Sequence, residues 1–280
     1  MSKLPYLNIG CGNKYHKDWT NIDMQPASKD VLKVDILKTF PFPENNFDVI
    51  YSSQVLEHIP LRKVDHFLQE CYRVLRPNGI IRLVVPDLEN IIQEYSRWLQ
   101  ELRNNPNPQV EANYHWILLE LLDQISRHRS GGEMEEYLNQ IEILNEDYII
   151  DRIGYNGRYL RTRAKKKTSN SLNVNLRKKL SNLFHPRNLR TNFLNLILDK
   201  KEQEYLRIGK FRQGGEIHFW MYDDVSLKKL LAKHSFLQIQ RENFDSSKIT
   251  NWDSYELDVK KGMIYDPTSQ FILYFDSNIL

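Results

Sequence analysis

Two glycines and an aspartate near the start of the chain have the types and the spacing of a ligand-binding turn. Gly10 and Gly12 directly follow a short apolar segment, and Asp23 comes 13 residues after Gly10. Glycine has no Cβ, so the chain can turn sharply and a ligand can approach the main chain. A carboxylate at the end of a neighbouring strand can accept hydrogen bonds from ribose hydroxyls. These residues predict a site for a nucleoside-like ligand, whereas the glycine pair alone fits a simple strand–helix turn equally well.

The first part of the chain supplies the alternating elements that such a site needs. Apolar segments predict strands at 6–9, 20–22, 31–34, 47–52 and 80–85; the fourth is expected to be buried on both faces, and the fifth is expected to be fully apolar. Apolar residues with a period of 3.6 predict a helix at 60–75, which ends before Pro77. Strands that alternate with helices favour a parallel sheet with helices on its faces. The short gap between the first two strands leaves little room for a helix there.

After Pro86 the pattern becomes helical. Helices are predicted at 88–102, at 110–128 and after Gly131-Gly132, and the sheet pattern resumes with a helix capped by Asp223 or Asp224 and strands at 236–242 and 270–275. The predicted architecture is a Rossmann-like, doubly wound α/β fold with a mostly parallel, seven-stranded sheet. A large helical insertion follows the fifth strand.

Composition limits the class of protein. An apolar fraction of 41% can form a core, but the longest uncharged apolar runs are too short to span a membrane, and the N-terminus lacks the apolar stretch of a signal peptide. Cys11 and Cys71 form neither a disulfide framework nor a zinc site, and no metal is expected. The prediction is a soluble cytoplasmic protein, with peripheral attachment to a membrane as an alternative.

Charge is distributed very unevenly. Residues 152–212 contain 17 Lys and Arg against 3 Asp and Glu, a net charge of +14, which leaves −11 for the rest of the chain. Such asymmetry predicts an anionic partner for this segment: a phosphate group, a membrane surface or RNA. Within it, residues 176–198 could form a solvated surface helix, an amphipathic helix resting on a membrane, or a phosphate- or nucleic-acid-binding arm.

A set of motifs in the right order resembles the class I S-adenosylmethionine-dependent methyltransferases. It consists of Asp23 and the segments 7–12 (LNIGCG), 34–36 (VDI), 47–58 (FDVIYSSQVLEH) and 72–79 (YRVLRPNG). Segments 123–134 and 216–223 are similar to a type 11-like branch that is often associated with cell-surface polysaccharide synthesis. The resemblance implies a cofactor-binding part at 1–87, a basic helical insertion or acceptor lid at 88–215, and the C-terminal part of the methyltransferase domain at 216–280.

The resemblance also implies a site for S-adenosylmethionine. Its residues would be Gly10, Cys11 and Gly12 under the methionine moiety, Asp23 on the ribose, Asp35 and Ile36 at the adenine, and Ser52, Ser53 and Gln54 beside the methyl group. Three positions depart from the family pattern: Asn8 replaces an acid, Lys14 a third glycine, and Gln54 a histidine that is common in this branch.

The residues that would act on the acceptor are less well defined. His58, Asp123 and His218 are the candidate catalytic bases, and Gln124, Arg127 and Tyr222 are the candidate substrate-binding residues. His58 could instead cap the loop before Pro60, and Asp123 with Gln124 could pin the insertion helices together instead of facing a cleft. Cys11 is expected to be a turn residue rather than a nucleophile, because no base lies near it in sequence.

Three functions follow as hypotheses. The first is O-methylation of a sugar, a glycan or a related small-molecule intermediate. The alternatives are an RNA methyltransferase that uses the basic insertion, and a cofactor-binding but non-catalytic scaffold in a biosynthetic complex. A nicotinamide oxidoreductase is disfavoured because the glycine turn lacks its third glycine and no catalytic Tyr–Lys pair is evident. The oligomeric state is left open.

Overall fold

A parallel sheet forms the centre of the computed structural model, which describes residues 3–169, 194, 197–243, 246–260, 262–269 and 272–273. Its strands are β1 (Tyr6–Ile9), β2 (Thr20–Asp23), β3 (Val31–Lys33), β4 (Phe47–Ser53) and β5 (Leu75–Val84). They lie in the order β3-β2-β1-β4-β5, and all neighbours are parallel. No helix occurs between β1 and β2, as the short gap predicts. The predicted α/β class and parallel sheet are confirmed.

Alternate residues of β4 face two different cores. Ile50 belongs to the larger core, which also contains the apolar stripe of α1 (Leu61–Val74). Val49 and Tyr51 point to the opposite face, where Trp19 and the short 3₁₀ helix Trp252–Tyr255 form a smaller aromatic core. The sheet is therefore buried on both faces, which explains why β4 has almost no polar residue pointing to solvent.

The fifth strand differs from its prediction in two ways. β5 begins at Leu75, which pairs with Phe47, and the register shifts between Phe47 and Val49. The prediction of an apolar strand is also wrong, because Arg82 lies in its middle with no exposed surface. Its guanidinium is held by Asp258, 2.6 Å away, and by the carbonyl of Ser246, 2.8 Å away. A buried charge of this kind is tolerated only with such partners.

A helical region follows β5. It consists of α2 (Leu88–Asn104), α3 (Pro108–Ser126), α4 (Gly132–Leu138), α5 (Glu146–Ser169, with non-helical backbone at Gly154) and α6 (Lys200–Arg212). Asp87 and Asn107 cap α2 and α3 with their side-chain oxygens. A buried ion pair between Glu120 and Arg152, 2.6 Å long, joins α3 to α5. The predicted helix at 176–198 lies almost wholly outside the described residues. None of the described helices has the length and continuous apolar character that a membrane crossing requires.

The last part of the chain carries short elements. After α7 (Asp224–Lys233) come β6 (Arg241–Glu242), β7 (Val259–Lys260), β8 (Met263–Ile264) and β9 (Ile272–Leu273). β6 pairs antiparallel with β9, which lies beside β5, but within the described residues the central sheet has five strands rather than seven. One physical reason is visible at Gln238, whose φ of +50° interrupts the strand expected at 236–242.

Candidate active site

The turn after β1 requires glycine at position 10. Gly10 and Gly12 have φ values of +65° and +50°, in the left-handed region. A Cβ at residue 10 would overlap the side chain of Val55. The N–H of Gly10 donates to the carbonyl of Ile22, 2.9 Å away, which ties the turn to β2. The turn is thus packed closely between two strand ends.

Asp23, the last residue of β2, is fixed beside this turn. Its Oδ2 accepts the N–H of Gly12 at 2.9 Å, and its Oδ1 accepts the N–H of Gln25 at 2.7 Å. Each carboxylate oxygen retains further acceptor capacity. The main chain therefore orients the carboxylate and leaves it able to accept hydrogen bonds from a ligand.

The strand ends open into one cleft of about 260 Å³. Four residues predicted to bind the cofactor line it: Gly10, Asp23, Ile36 and Gln54. His58 lines it as well. Phe219 and residues 213–215, which were not among the predicted site residues, also line the cleft. This cleft at the carboxyl edge of a parallel sheet is where α/β proteins bind nucleoside-like ligands.

Gln54 has an unusual backbone at the floor of the cleft. Its φ is +56°, which is strained for a residue with a side chain, and its N–H donates to the carbonyl of Val84 at 2.9 Å. Its Nε2 is buried without a hydrogen-bond partner among the described residues. Strained backbone and an unpartnered donor are both typical of a position shaped for a ligand.

The other predicted cofactor residues do not line this cleft. Cys11 is buried, and burial together with nearby Asp23 raises the pKa of its thiol to about 12, so it remains protonated and is a poor nucleophile. Ser52 is buried and its Oγ lies 3.3 Å from the carbonyl of Ile9. Asp35 accepts the N–H of Leu37 at 3.1 Å, and its Oδ2 lies 3.4 Å from Lys38 Nζ.

The departures from the family pattern have structural explanations. Asn8 is buried and its Nδ2 donates to the carbonyl of Lys14 at 2.9 Å, so it holds the loop that returns from the turn. The ammonium of Lys14 lies 3.4 Å from the ring centroid of Tyr265. It lines a small neighbouring pocket that also contains Ser53 and Asp266. Burial lowers the pKa of Lys14 to about 8.

The lowered pKa of Lys14 predicts a pH-dependent stability. Between pH of about 8 and its ordinary value of 10.5, the unfolded chain binds a proton that the folded chain does not, so the contribution of Lys14 to the unfolding free energy rises with pH. Wild type should therefore gain stability relative to Lys14→Met across this window in urea titrations. Lys17→Met, at an exposed position of the same loop, is the matched control for the loss of a lysine charge. A pH-independent difference between wild type and Lys14→Met would contradict the assignment.

A cluster of buried polar groups adjoins the cleft. Glu57 is fully buried, and neither of its carboxylate oxygens has a hydrogen-bond partner among the described residues. Burial raises the pKa of Glu57 to about 8. His58 Nε2 lies 3.9 Å from Glu57 Oε1, and the rings of His58 and His218 meet edge to face at 4.7 Å. Burial lowers the pKa of both imidazoles, which keeps them neutral near pH 7.

Main-chain hydrogen bonds hold this cluster together. The N–H of Phe219 donates to the carbonyl of Glu57 at 2.8 Å, and the N–H of His218 donates to the carbonyl of Gln124 at 3.0 Å. The segment before α7 is thus clamped between the short 3₁₀ helix Leu56–His58 and the end of α3. Gln124, a predicted substrate-binding residue, contributes its main chain here and does not line the cleft.

Asp123 and Arg127 are placed differently from the catalytic and substrate-binding roles considered for them. Asp123 is buried; its Oδ1 accepts the N–H of Glu133 at 2.8 Å, and its Oδ2 accepts from Arg127 Nη2 at 2.6 Å. A Cβ at Gly132 would overlap this carboxylate. Asp123 therefore caps the start of α4, and Arg127 is committed to Asp123 and to Glu216, 3.4 Å away. Neither residue lines the cleft, so the alternative interpretation, in which Asp123 holds the insertion helices together, fits the structure better.

Tyr222 also differs from its predicted substrate-binding role. It is 2% exposed and belongs to the larger core, so an acceptor cannot reach it from the cleft. Its carbonyl accepts the N–H of Leu88 at 3.1 Å, while its hydroxyl has no partner among the described residues. Burial and nearby Glu57 raise its pKa. The hydroxyl is thus a further unsatisfied group close to the Glu57 cluster.

Comparison with known proteins agrees with this geometry. Residues 7–83 match a family described as a methyltransferase domain. Phosphoethanolamine N-methyltransferase of Plasmodium falciparum is 30% identical over 77 residues, which are 26% of this chain and 29% of the relative. A probable S-adenosylmethionine-dependent methyltransferase of Mycolicibacterium smegmatis is 32% identical over 98 residues, 29% of this chain and 37% of the relative. The chain thus spans about a third of the length of these relatives.

A solved structure shows a more distant likeness. The S-adenosylmethionine-dependent methyltransferase of Mesorhizobium loti is 18% identical, with a TM-score of 0.25 over 31% of this chain and 48% of the other. The family match and the two relatives above identify residues 7–83 as a methyltransferase domain of the S-adenosylmethionine-dependent class. Its cofactor is S-adenosylmethionine. The class predicted from the motifs is confirmed, and the association with polysaccharide synthesis stays a prediction.

Proposed function

We propose that this protein transfers the methyl group of S-adenosylmethionine to a hydroxyl of a sugar, glycan or related small-molecule intermediate. The observation that carries the proposal is that Gly10, Asp23 and His58 all line one cleft. A cofactor site and a proton-accepting group thus border the same space.

The residues of the cleft fit the cofactor. Gly10 lines the cleft and has no side chain to cover its main chain, and Asp23 is held with free acceptor capacity for the ribose hydroxyls. Ile36 offers an apolar surface to the adenine ring. When bound, S-adenosylmethionine supplies an electrophilic methyl group on a sulfonium. The protein's contribution is to hold the acceptor oxygen in line with it, and such alignment supplies on the order of 7–11 kcal/mol in favourable cases.

His58 is the side chain best placed to take the acceptor's proton. Its Nδ1 lies 2.9 Å from the carbonyl of Ile217, which can only accept, so Nδ1 carries the ring proton and Nε2 has a free lone pair. It lines the cleft, whereas Asp123 is occupied elsewhere. The neutral imidazole can accept the proton that the hydroxyl loses as its oxygen attacks the methyl carbon.

The RNA alternative depends on the basic segment, and part of that charge is already used within the fold. Arg152 is buried against Glu120, and Arg161 is buried against Glu146, 2.9 Å away, and donates to the carbonyl of Leu138. These arginines hold α5 in place and are not available to phosphates. The small-molecule acceptor is therefore preferred, with residues of 152–212 that remain exposed as candidate contacts for its phosphate group or for a membrane surface.

Methyl transfer into fractionated cell extract tests these functions. With tritiated S-adenosylmethionine, label should enter the glycan or small-molecule fraction and resist nuclease, and Asp23→Ala should lose the incorporation. All fractions should be counted, because one matched relative is named for an amine acceptor. Nuclease-sensitive label bound in a salt-dependent way would favour RNA. Cofactor binding without S-adenosylhomocysteine from any pool would favour the scaffold.

A further inference from the structure

Three metal-ligating side chains meet beside the cleft. Glu57, His58 and His218 each offer one ligand atom, and these atoms all lie within 4.8 Å of one another. Two come from the 3₁₀ helix after β4 and the third from the segment before α7, so the fold joins residues that are far apart in the chain. The main-chain clamp of Phe219 onto Glu57 brings them together.

The unsatisfied groups of this cluster point to a missing positive partner. Glu57 has no exposed surface and no partner for either carboxylate oxygen within the described part of the chain. His218 Nδ1 and the hydroxyl of Tyr222 are likewise buried without a partner there. Buried polar groups are nearly always satisfied, and a carboxylate with two lone oxygens beside two imidazoles calls for a specific explanation. A bound cation would engage the carboxylate and the free imidazole nitrogens together.

The hydrogen bond of His58 is of the kind that metal-binding histidines make. Its Nδ1 donates to the carbonyl of Ile217, which fixes the orientation of the ring. Nε2, on the side of Glu57, is then unprotonated and has a free lone pair. A metal ligand commonly has its other ring nitrogen held in this way by a carbonyl or a carboxylate. The geometry therefore prepares Nε2 to bind an ion.

We propose that Glu57, His58 and His218 bind a divalent first-row transition-metal ion at the edge of the cleft. Two imidazoles and one carboxylate suit Zn²⁺, Fe²⁺, Mn²⁺ or Co²⁺, whereas Ca²⁺ and Mg²⁺ prefer oxygen ligands. Ligand atoms about 2.1 Å from one ion lie about 3.0–3.4 Å apart, so the three side chains close by on the order of 1 Å when the ion binds.

The ion would act on the acceptor. Three protein ligands leave at least one coordination position open, and His58 lines the cleft, so an acceptor hydroxyl can reach that position. Coordination lowers the pKa of the hydroxyl; its proton passes to solvent, its oxygen bonds to the methyl carbon, and the carbon–sulfur bond breaks to leave S-adenosylhomocysteine. The ion then takes over the activating role assigned to free His58. This role rests on the proposed function, whereas ion binding does not.

Metal binding can be measured without any acceptor. Protein stripped with a chelator should bind one Co²⁺ per chain, with visible absorption bands that Zn²⁺ displaces. Glu57→Gln and His218→Gln should each bind Co²⁺ at least tenfold more weakly while retaining wild-type affinity for S-adenosylmethionine, which shows that they fold. His234→Gln is the matched control, because His234 is a buried histidine 2.8 Å from Asp65 at another place, and it should bind Co²⁺ normally.

A second measurement uses wild type alone and so does not depend on the variants folding. X-ray absorption at the zinc edge should show two imidazole ligands. A spectrum without histidine ligands, less than about a tenth of an equivalent of Co²⁺, or normal binding by both variants would each overturn the site. Methyl transfer that persists after chelation, with no ion bound, would leave the proposed function standing and refute the activating role of the ion. Stoichiometric ion binding without methyl transfer to any acceptor would leave the metal site standing and refute the proposed function.

Discussion

Asp23→Ala should bind S-adenosylmethionine at least tenfold more weakly than wild type. The carboxylate of Asp23 lines the cleft at the end of β2, oriented by the N–H groups of Gly12 and Gln25. Hydrogen bonds to a charged group contribute about 1.5–3 kcal/mol each, and a tenfold loss of affinity corresponds to about 1.4 kcal/mol. Loss of even one ribose contact would therefore reach this effect. Calorimetric titration with S-adenosylmethionine and S-adenosylhomocysteine measures it.

Two companion variants separate contact with the ligand from support of the turn. Asp30→Ala removes an exposed carboxylate from the connection between β2 and β3 and should change the affinity less than twofold. Asp23→Asn keeps one acceptor oxygen for the main chain and should weaken binding by less than Asp23→Ala. Unchanged affinity in Asp23→Ala would refute the assignment of this residue to the ribose.

The parts of the fold that follow from local patterns were predictable. The strands of the sheet and α1 are visible as apolar runs and as a 3.6-residue period, because each buries its own residues on a fixed face. The meeting of Gly10, Asp23, Ile36 and Gln54 at one cleft follows from topology, since the carboxyl ends of parallel strands share an edge. This much of the candidate site could be placed from the sequence.

Contacts between distant segments could not be predicted in this way. Asp123 lies in an apolar helix, where its side chain could face a cleft or contact another helix. The structure shows the second, because its carboxylate accepts a hydrogen bond from the N–H of Glu133 at the start of α4. Similarly, Glu57 and His58 are neighbours in sequence, but their cluster needs His218, about 160 residues later. A single sequence gives the residue types, whereas the partner of each buried polar group is set by the tertiary fold.

The largest loss of stability is expected for Arg82→Met. Arg82 has no exposed surface, its Nη2 lies 2.6 Å from Asp258 Oδ2, and its guanidinium lies 4.2 Å from the ring centroid of Trp252. Methionine fills much of the volume but leaves Asp258, only 8% exposed, as a buried carboxylate without its cation. Breaking a buried ion pair from one side costs about 3–5 kcal/mol, because the remaining charge stays desolvated. Urea unfolding monitored by circular dichroism gives the difference in unfolding free energy.

Arg76→Met is the matched control, because it makes the same change in the same strand at another carboxylate-paired arginine. Arg76 lies 2.8 Å from Asp48, but the two side chains are 43% and 47% exposed, so water replaces the lost partner and the cost should stay below about 1 kcal/mol. The double variant Arg82→Met/Asp258→Leu removes the buried charge as well and should recover part of the loss. Recovery should be incomplete, because the hydroxyl of Tyr51, 2.5 Å from Asp258 Oδ1, loses its acceptor. Arg82 links residues 246–258 to the sheet through Ser246 and Asp258. Equal losses of unfolding free energy in Arg82→Met and Arg76→Met would show that the buried ion pair of Arg82 does not stabilise this link.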